Sequence, residues 1–448
     1  MRINNTGIKC FPFPNRNGNK RFNIVKMEFK FEEKVEMLDP MEIRRDFPIL
    51  KKTINGHKLI YFDNAATTQK PLSVIRVIAK FYMEEYANVH RGVHTLSQIA
   101  SERYEEAREE VARFINAERE EIIFLRNASE ALNMIAYTWG LRELKPEDEI
   151  LTTLMEHHSN ITPWINLSEI LKFKIKYVGL TENGTLNLKE LEEKMTDKTR
   201  IVTLTHMSNV IGTINPVKEI AKIAHENNAL IIVDGAQSVP HMPIDVKKMD
   251  CDFLAFSGHK MLGPTGIGVL YVKKDVLEEM KPTISGGGTI KNVRWMESEE
   301  TCKIDWAKIP ERFEAGTPNI AGAIGLAEAI RYLRKIGMEN VRKYEEELLK
   351  YTFKEMDQLD KIKIYGPRDP EIRGGIVSFN IGKLNPHQTA LILDQYGIAV
   401  RSGVHCAEPL HQKIGAENGS VRASYYIYNT KDEIERMIQI LKKIEEIA

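Results

Sequence analysis

Cysteine is scarce in this chain, and its spacing argues against two common uses of the residue. The 448 residues contain only Cys10, Cys251, Cys302 and Cys406, and no two of them form a Cys-x-x-Cys pair. A disulfide framework or a zinc ribbon needs more cysteines or closer ones. We therefore expect free thiols and a reducing compartment, the cytoplasm.

The chain also lacks an excess of charge and a long apolar run. Lys and Arg together number 63, as do Asp and Glu, so the formal net charge is zero. A balanced chain without a long basic block argues against nucleic acid as a main partner. No apolar run approaches the roughly 18 residues that a membrane span requires. We expect neither nucleic acid nor a membrane among its partners.

The beginning of the chain has none of the features of a targeting segment. It has no apolar central region, and no serine precedes Ser73, so neither a secretory signal nor a transit peptide is indicated. Basic residues and asparagines dominate the first thirty positions. We expect residues 1–39 to form a flexible arm, and the methionines at 27, 37 and 41 leave open a downstream start.

Beyond residue 40, short apolar runs alternate with helical patterns, which is typical of an α/β fold with a mainly parallel central sheet. From Ala321 the pattern changes to long helices and then to a smaller α+β arrangement. We predict a large domain over 61–305 and a small C-terminal domain over 306–448, to which residues 40–60 contribute.

Two polar motifs follow such apolar runs. Asp234 directly follows the apolar run Ala229–Val233, and Ser257-Gly258-His259-Lys260 directly follows the next run, Asp252–Phe256. Parallel sheets bind ligands at the carboxyl ends of their strands. An aspartate and a lysine at that edge suit pyridoxal phosphate, which needs a Schiff-base lysine and an acidic partner for its ring nitrogen. The alternatives are an ordinary surface lysine and an aspartate that caps a helix.

Five segments together indicate a family. They are Asp234-Gly235-Ala236-Gln237, Ser257-Gly258-His259-Lys260, His157-His158-Ser159-Asn160, residues 312–319 and residues 401–409. In this order and spacing they resemble the class V aminotransferases, and most closely the SUF-type (group II) cysteine desulfurases, some of which are selenocysteine lyases. The resemblance extends from about Phe47 to the C-terminus. It implies a type I fold and pyridoxal 5′-phosphate as the cofactor.

The resemblance assigns roles around the cofactor ring. Lys260 would hold the aldehyde as a Schiff base, and Asp234 would pair with the ring nitrogen. Gln237 would contact the phenolate oxygen. His157 would stack on the ring and relay protons. A metal site at His90 and His94 is the less favoured alternative, because Gly92 interrupts the helix that an i,i+4 pair of ligands needs.

The phosphate contacts follow from the same resemblance. They are Ser129, Ser257, His259 and, from a second subunit, Thr317, so we expect a homodimer. Ser129 opens a helical pattern, where backbone N–H groups favour anions, although a plain helix cap has the same geometry. Ala128 stands where the family often has a hydroxyl residue, which puts one phosphate contact in doubt.

The substrate end contains the residue that discriminates between functions. Arg422 maps to the arginine that clamps the substrate carboxylate, with Asn209 as its helper and Arg401 as a weaker candidate. Cys406 maps to the cysteine that forms a persulfide, and neighbouring cations favour its reactive thiolate. The alternative is a small buried cysteine. Val404 replaces a histidine that many relatives carry before this cysteine.

The predicted function is therefore that of a cysteine desulfurase. It would convert L-cysteine to L-alanine, leave a persulfide on Cys406, and pass the sulfur to an acceptor protein for iron–sulfur cluster assembly. Within the same fold, the alternatives are a selenocysteine lyase acting on L-selenocysteine, another class V lyase and an aminotransferase. From a different class, the alternative is a non-catalytic, cofactor-binding scaffold of an assembly complex.

Overall fold

The computed structural model describes residues 38–448, so all but two residues of the predicted arm, and Cys10 with them, lie outside the described residues. The apolar runs of the first two-thirds of this part form one sheet of seven strands. Six run parallel, and Gly268–Val272 is antiparallel to both of its neighbours. In spatial order the strands are Ile122–Leu125, Gly268–Val272, Phe253–Ser257, Leu230–Asp234, Thr199–Thr205, Glu149–Thr153 and Lys174–Val178.

This sheet is buried on both faces. Along the strand Leu230–Asp234, Ile231 and Val233 pack into one apolar cluster and Ile232 into a second cluster on the opposite face. Successive side chains of a strand point to opposite faces, and a parallel sheet covered by helices therefore needs continuous apolar runs. The predicted α/β architecture with a mainly parallel central sheet is confirmed.

Helices cover both faces of the sheet and form much of the C-terminal part. The predicted long helices beyond Ala321 are present as Ile320–Ile336 and Met338–Met356. The other helices of six or more residues are Leu72–Lys80, Thr95–Ile115, Ala128–Ile135, Thr162–Leu171, Leu188–Lys194, Val217–Glu226, Lys274–Glu279, Pro386–Gln395, Glu408–Lys413 and Lys431–Glu445.

A second, antiparallel sheet belongs to the C-terminal part. Its strands lie in the order Ile362–Tyr365, Ile376–Ile381, Ser420–Ser424 and Arg401–Gly403. Beside it, Ile60–Tyr61 pairs in parallel with Ile398–Ala399, so a segment from near the start of the chain joins this part. The predicted boundaries near residues 60 and 305 remain a prediction.

A two-stranded hairpin departs from expectation. Ile290–Met296 pairs with Thr301–Trp306 where no strands were predicted, and Cys302 lies on the second of these strands. Apolar and polar residues alternate along Cys302–Trp306, but most side chains of both strands are exposed, so this alternation does not mark a face that packs on the core. Cys251 is buried in the core. Within residues 38–448, no helix is both long and apolar enough to cross a membrane.

Candidate active site

The carboxyl ends of the parallel strands border one cavity of about 390 Å³. This is the edge at which open α/β sheets bind ligands, and the volume suits a cofactor-sized molecule. All of the predicted site residues except Thr317 line the cavity. Those brought together are Ser129, His157, Asn209, Asp234, Gln237, Ser257, His259, Lys260, Arg401, Cys406 and Arg422.

Asp234 is the last residue of its strand and is almost completely buried. Its Oδ1 accepts a hydrogen bond of 2.9 Å from the backbone N–H of Ala236. Burial raises the pKa of this carboxyl above its ordinary value, while Ala236 and Lys260 oppose the rise. This hydrogen bond is local to the end of the strand and uses only one acceptor position of the carboxylate. The carboxylate can therefore accept further hydrogen bonds from a group in the cavity.

Lys260 lies on a short 3₁₀ turn, Gly258–Lys260, directly after the strand Phe253–Ser257. Burial lowers the pKa of its ammonium to about 8, and Asp234 opposes that effect. Two residues from a distant part of the chain hold this turn. The carbonyl of His259 accepts hydrogen bonds from Thr67 Oγ1 at 3.0 Å and from Lys70 Nζ at 2.7 Å. The lysine that sequence alone could not distinguish from a surface residue is therefore half-buried, lines the cavity and extends from an anchored turn.

The helix Ala128–Ile135 points its N-terminus at the cavity. Its cap is Asn127, whose side chain accepts the N–H of Glu130, and the N–H of Ala128 donates to Ser257 Oγ at 2.9 Å. The strand residue Gly268 makes this approach possible, since a Cβ there would lie 2.4 Å from the Cα of Asn127. The helix cap considered as an alternative is present, and it lines the cavity as well.

Hydroxyl groups and a histidine converge on this end of the cavity. The Oγ atoms of Ser129 and Ser159 lie 2.6 Å apart, and both residues line the cavity. Burial, with Lys260 and Lys70 nearby, lowers the pKa of His259 to about 4, so its imidazole is neutral at physiological pH. Helix N–H groups with neutral donors beside them form a site for an anion such as phosphate.

His157 lines the cavity near the carboxyl ends of the parallel strands. Its Nδ1 accepts the backbone N–H of Ser159 at 3.1 Å, which leaves Nε2 as the protonated nitrogen of the neutral ring. Burial, with Lys260 nearby, lowers the pKa of this imidazole to about 4. A neutral ring of fixed tautomer can lie flat against another ring without the cost of burying a charge.

Gln237 has one polar atom without a partner. Its Nε2 donates to the carbonyl of Ala65 at 2.7 Å, whereas its buried Oε1 has no hydrogen-bond partner within residues 38–448. An unpaired buried polar atom is costly, and such atoms at a cavity wall point to a ligand.

These groups fit pyridoxal 5′-phosphate. The cavity presents a buried carboxylate, a half-buried lysine of lowered pKa, an amide oxygen without a partner in the described residues, and an anion site at a helix N-terminus. The protein groups that this cofactor demands are of these types. In contrast, no group of three or more His, Cys, Asp or Glu side chains in the described part of the chain is arranged to hold a metal ion.

Arg422 and Arg401 face each other across two antiparallel strands of the small sheet. Burial lowers the pKa of Arg422 to about 10, so its guanidinium stays charged at neutral pH. Its Nη1 donates to the carbonyl of Asn209 at 2.8 Å, and its buried Nε has no partner within residues 38–448. Arg422 therefore retains donor capacity for a carboxylate.

Cys406 is exposed to the cavity on a short loop between the strand Arg401–Gly403 and the helix Glu408–Lys413. His405 and Cys406 have φ angles of 51° and 55°, which side-chain-bearing residues adopt rarely and which cost energy. Their carbonyls are held by Asn209 Nδ2 at 2.9 Å and by the N–H of His158 at 2.8 Å, respectively. The thiol is therefore presented from a fixed backbone.

Thr317 is the one predicted residue that does not reach this cavity. It is exposed, in the segment before the helix Ile320–Ile336. Residues Glu314 and Arg108 anchor that segment through a buried ion pair of 2.6 Å. The position of Thr317 is compatible with the expectation that it serves a different site from that of its own chain.

Sequence reasoning missed the polar lining residues Thr205 and His405, and it also missed three polar residues just behind the cavity wall. Asp63 accepts two hydrogen bonds to Oδ2 from Arg401, at 3.2 and 2.8 Å, and Lys70 binds the turn that carries Lys260. Glu156 is completely buried, accepts a hydrogen bond from Asn160 Nδ2 at 2.7 Å, and has its pKa raised by burial to about 7. Asp63 carries a usable signal, because it closely follows a short strand, as Asp234 ends one.

Comparison with known proteins gives a consistent result. A family model described as aminotransferase class-V matches residues 60–437. A probable cysteine desulfurase of Halalkalibacterium halodurans is 48% identical over 406 residues, which cover 90% of this chain and 98% of that protein. A cysteine desulfurase of Haloferax volcanii is 43% identical over 424 residues, which cover 92% and 98%.

The fold is similar to that of a solved protein of the same kind. An apo cysteine desulfurase from Thermococcus onnurineus NA1 aligns with a TM-score of 0.86 at 43% sequence identity. The alignment covers 92% of this chain and 100% of that chain.

Proposed function

Because the chain belongs to the class V aminotransferases and, among them, to the cysteine desulfurases, we propose that it converts L-cysteine to L-alanine and holds the released sulfur as a persulfide on Cys406. The observation that carries this proposal is the convergence of Cys406, Lys260, Asp234 and Arg422 on one cavity. Transamination uses the lysine and the aspartate and has no need of a thiol in the same cavity.

Pyridoxal 5′-phosphate is the cofactor that we propose for this cavity. When bound, it supplies an aromatic ring that accepts electrons from the substrate's Cα. Lys260 would hold it covalently, Asp234 would pair with its ring nitrogen, and His157 would lie against its ring. Gln237 would contact the phenolate oxygen. The phosphate would be held by Ser129, Ser257 and His259, with Thr317 from the second subunit.

Lys260 is suited to move the Cα proton. Its pKa of about 8 leaves about a tenth of the amine neutral at pH 7, whereas an exposed lysine would be almost fully protonated. A base whose pKa lies near the working pH transfers protons most efficiently. We propose that Lys260 removes the Cα proton of the substrate and returns a proton afterwards.

The substrate is oriented by its carboxylate. Arg422 is fixed from one side by the Asn209 carbonyl and retains its buried Nε for a ligand. A guanidinium matches the geometry of a carboxylate better than an ammonium does. We propose that this contact directs the side-chain sulfur of cysteine toward the loop that bears Cys406.

Cys406 performs the sulfur transfer as a thiolate. Its Sγ attacks the substrate sulfur, so that a new S–S bond forms while the carbon–sulfur bond of the substrate breaks. The electron pair of the broken bond goes to the substrate carbon, which is then protonated to give alanine. L-Cysteine and the enzyme thiol are thus converted to L-alanine and an enzyme persulfide without an external oxidant or reductant.

The persulfide would then pass to an acceptor protein for iron–sulfur cluster assembly. The backbone of the loop is held at both His405 and Cys406, so the thiol cannot travel far from the cavity. We therefore propose that the acceptor brings its own thiol to the cavity mouth. The free cysteines of the described part of the chain are compatible with the reducing cytoplasm as the compartment.

We further propose that the active unit is a homodimer. Thr317 is exposed and does not line the cavity of its own chain. The hairpin that ends near this segment exposes three large apolar side chains, Val293, Trp295 and Ile304, with between 47% and 62% of their surface accessible. Apolar side chains exposed together on a small element are typical of an interface.

A direct test is to add L-cysteine to the cofactor-loaded enzyme and measure alanine release, together with the mass of the peptide containing Cys406. We expect alanine, and a mass increase of about 32 Da, one sulfur atom, on that peptide. Cys406→Ala should retain cofactor binding and lose alanine formation from cysteine. Cys302→Ala, at an exposed cysteine outside the cavity, is the matched control and should behave as wild type.

The outcomes separate the remaining functions. Sulfur on Cys251 or Cys302, or full alanine release by Cys406→Ala, would contradict the proposed mechanism. Because selenium leaves more readily than sulfur, alanine formation from L-selenocysteine that persists in Cys406→Ala, with none from L-cysteine in the wild type, would indicate a selenocysteine lyase. Cofactor binding without any turnover would indicate a scaffold.

A further inference from the structure

The loop that carries Cys406 has a strained backbone at the cysteine itself. His405 and Cys406 both have positive φ angles, of 51° and 55°. The left-handed region is unfavourable for residues with a Cβ, so two such residues in succession persist only where other contacts hold them. The contacts that hold this loop therefore decide where the thiol lies.

His158 holds the loop from another segment in two ways. Its backbone N–H donates a hydrogen bond of 2.8 Å to the carbonyl of Cys406. Its side-chain Nε2 contacts Oε2 of Glu408, which lies just beyond Cys406 in the chain. A protonated Nε2 donates to the carboxylate whether the imidazole is neutral or charged. One residue thus contacts the loop at the cysteine and at the beginning of the helix that follows it.

The segment that carries His158 is itself fixed. It forms the 3₁₀ turn His158–Asn160, and Nδ2 of Asn160 donates to the buried carboxylate of Glu156 at 2.7 Å. The cavity residue His157 directly precedes this turn. The contact between His158 and Glu408 therefore connects the loop of Cys406 to an anchored part of the cavity wall.

Neither side chain of this pair reaches the space for a ligand. Cys406 lines the cavity, whereas His158 and Glu408 do not. Both are partly exposed, with 38% and 49% of the side chain accessible. Exposed pairs contribute little to the stability of a whole fold. The effect of this pair is therefore local, on the position of the loop.

We propose that His158 and Glu408 are positioning residues for Cys406, which hold its thiol toward the sulfur of the substrate. This inference rests on the proposed function, since it assumes that Cys406 accepts that sulfur. It assigns the pair no contact with the substrate or the cofactor, because both residues act through the backbone of the loop.

The test compares the cofactor-loaded wild type with His158→Ala, Glu408→Ala and the double variant. We expect the first turnover of L-cysteine to alanine to slow about fivefold in each single variant, the factor that a well-formed exposed ion pair can supply. Because the two side chains act as a unit, the double variant should lose no more than either single variant. Glu408→Gln, which retains an acceptor oxygen for Nε2, should stay within about twofold of wild type.

Two further measurements separate positioning from general damage to the site. The dissociation constant of L-alanine, from the change in the visible absorbance of the cofactor, should stay within about twofold of wild type, because Lys260 and Arg422 are unchanged. The rate of Cys406 alkylation by iodoacetamide is measured on the alkaline plateau of its pH profile, where the thiol is fully ionised. That rate should rise in all three variants, because the released loop exposes the thiol.

Glu347→Ala is the matched control, since Glu347 forms a partly exposed pair with Lys431 and does not line the cavity. It should change none of the three measurements. Glu408 also lies in the first turn of a helix. If Glu408→Ala does not fold, His158→Ala decides the question with the same measurements.

Unchanged first-turnover rates in the single variants, or additive losses in the double variant, would overturn the proposal. An equal loss of affinity for L-alanine would do so as well, because it would indicate damage to the whole cavity. If the wild type forms no alanine from cysteine, the proposed function fails, whereas the alkylation rates still report whether the pair holds the thiol.

Discussion

At the scale of single residues, burial shifts the pKa values of three ionisable groups of the site, Lys260, His157 and Asp234. Burial lowers the pKa of Lys260 to about 8 and that of His157 to about 4, and it raises the pKa of Asp234. Desolvation disfavours the charged form of each group, whatever its sign. A cavity of this kind therefore presents a neutral imidazole and a partly neutral amine at physiological pH, while the nearby lysine favours the ionised form of Asp234.

We expect Lys260→Ala to lower turnover by at least about 10³-fold, because it removes the proposed covalent anchor and the proton-transferring amine together. Reduction of the loaded enzyme with borohydride, followed by mass spectrometry, should attach the cofactor to the wild type and not to the variant. Lys273→Ala, at a partly exposed lysine paired with Asp250, is the matched control. Attachment of the cofactor to a different lysine in the wild type, or an unchanged yield of reduced adduct in Lys260→Ala, would contradict the assignment.

At the scale of elements, the site depends on how closely two segments approach. The strand Gly268–Val272 lies against the loop that begins the helix Ala128–Ile135, and the absence of a side chain at Gly268 permits the contact. Antiparallel pairing of this strand with Phe253–Ser257 also aligns Gly268 with Ser257, another cavity residue. One strand thus positions both sides of the proposed phosphate site.

We expect Gly268→Ala to weaken cofactor binding by about tenfold or more. The added Cβ would meet backbone atoms of Asn127 at 2.4 to 2.8 Å, so the loop must move, and overpacking of this kind costs about 1–3 kcal/mol. The measurement is the dissociation constant of pyridoxal 5′-phosphate, with thermal unfolding recorded alongside. Val269→Ala, next along the strand, should destabilise the fold and leave the affinity unchanged; equal affinity losses in both variants would refute the explanation.

At the scale of the whole molecule, the sheet brings together segments that are far apart in the chain, and the confirmed family and type I fold account for that arrangement. The same fold leaves Thr317 away from the cavity of its own chain. If the proposed homodimer is correct, each site contains residues from two chains. Substitutions carried by different chains can then complement each other.

We expect complementation between Thr317→Val and Lys260→Ala. Each homodimer should be impaired, whereas exchange of subunits should produce heterodimers in which one site carries both substitutions and the other carries neither. Alanine release from cysteine after mixing should therefore rise above the sum of the two parents. Sedimentation of the wild type should give a dimer. An active, cofactor-loaded monomer, or no gain on mixing, would contradict the shared site.

Acid should destabilise the protein through its buried histidines. His206 is buried, its Nδ1 has no partner within residues 38–448, and burial lowers its pKa from 6.5 to about 4. The unfolded state therefore binds the proton first, so the contribution of this residue to stability is complete above pH 6.5 and is lost as the pH falls from there toward 4.

We expect His206→Gln to reduce the loss of stability between pH 7 and pH 5 by about 2 kcal/mol. The free energy of unfolding of the cofactor-free protein, from urea titrations at both pH values, is the measurement. His387→Gln, at an exposed histidine, is the matched control. An unchanged pH dependence in His206→Gln would mean that the buried imidazole takes up its proton without cost.

The sequence by itself determined the α/β class, the strand ends that carry Asp234 and Lys260, and the motifs that identify the family. These follow from local patterns, because a buried parallel strand must be apolar along its whole length and a ligand site follows at its end. The hairpin at 290–306 was not predicted, although apolar and polar residues alternate along its second strand, since a short alternating segment between charged residues does not pack on the core.

Only the tertiary structure decided which polar groups meet. Asp63 and Arg401 are 338 positions apart, and Lys70 and His259 are 189 apart. No local pattern indicates such pairs, because their contact depends on how the segment after Ile60–Tyr61 lies between the two sheets. Burial likewise became visible only in the fold: Lys260 and Glu156 have lowered and raised pKa values because the surrounding chain excludes water, which is a property of packing and not of composition.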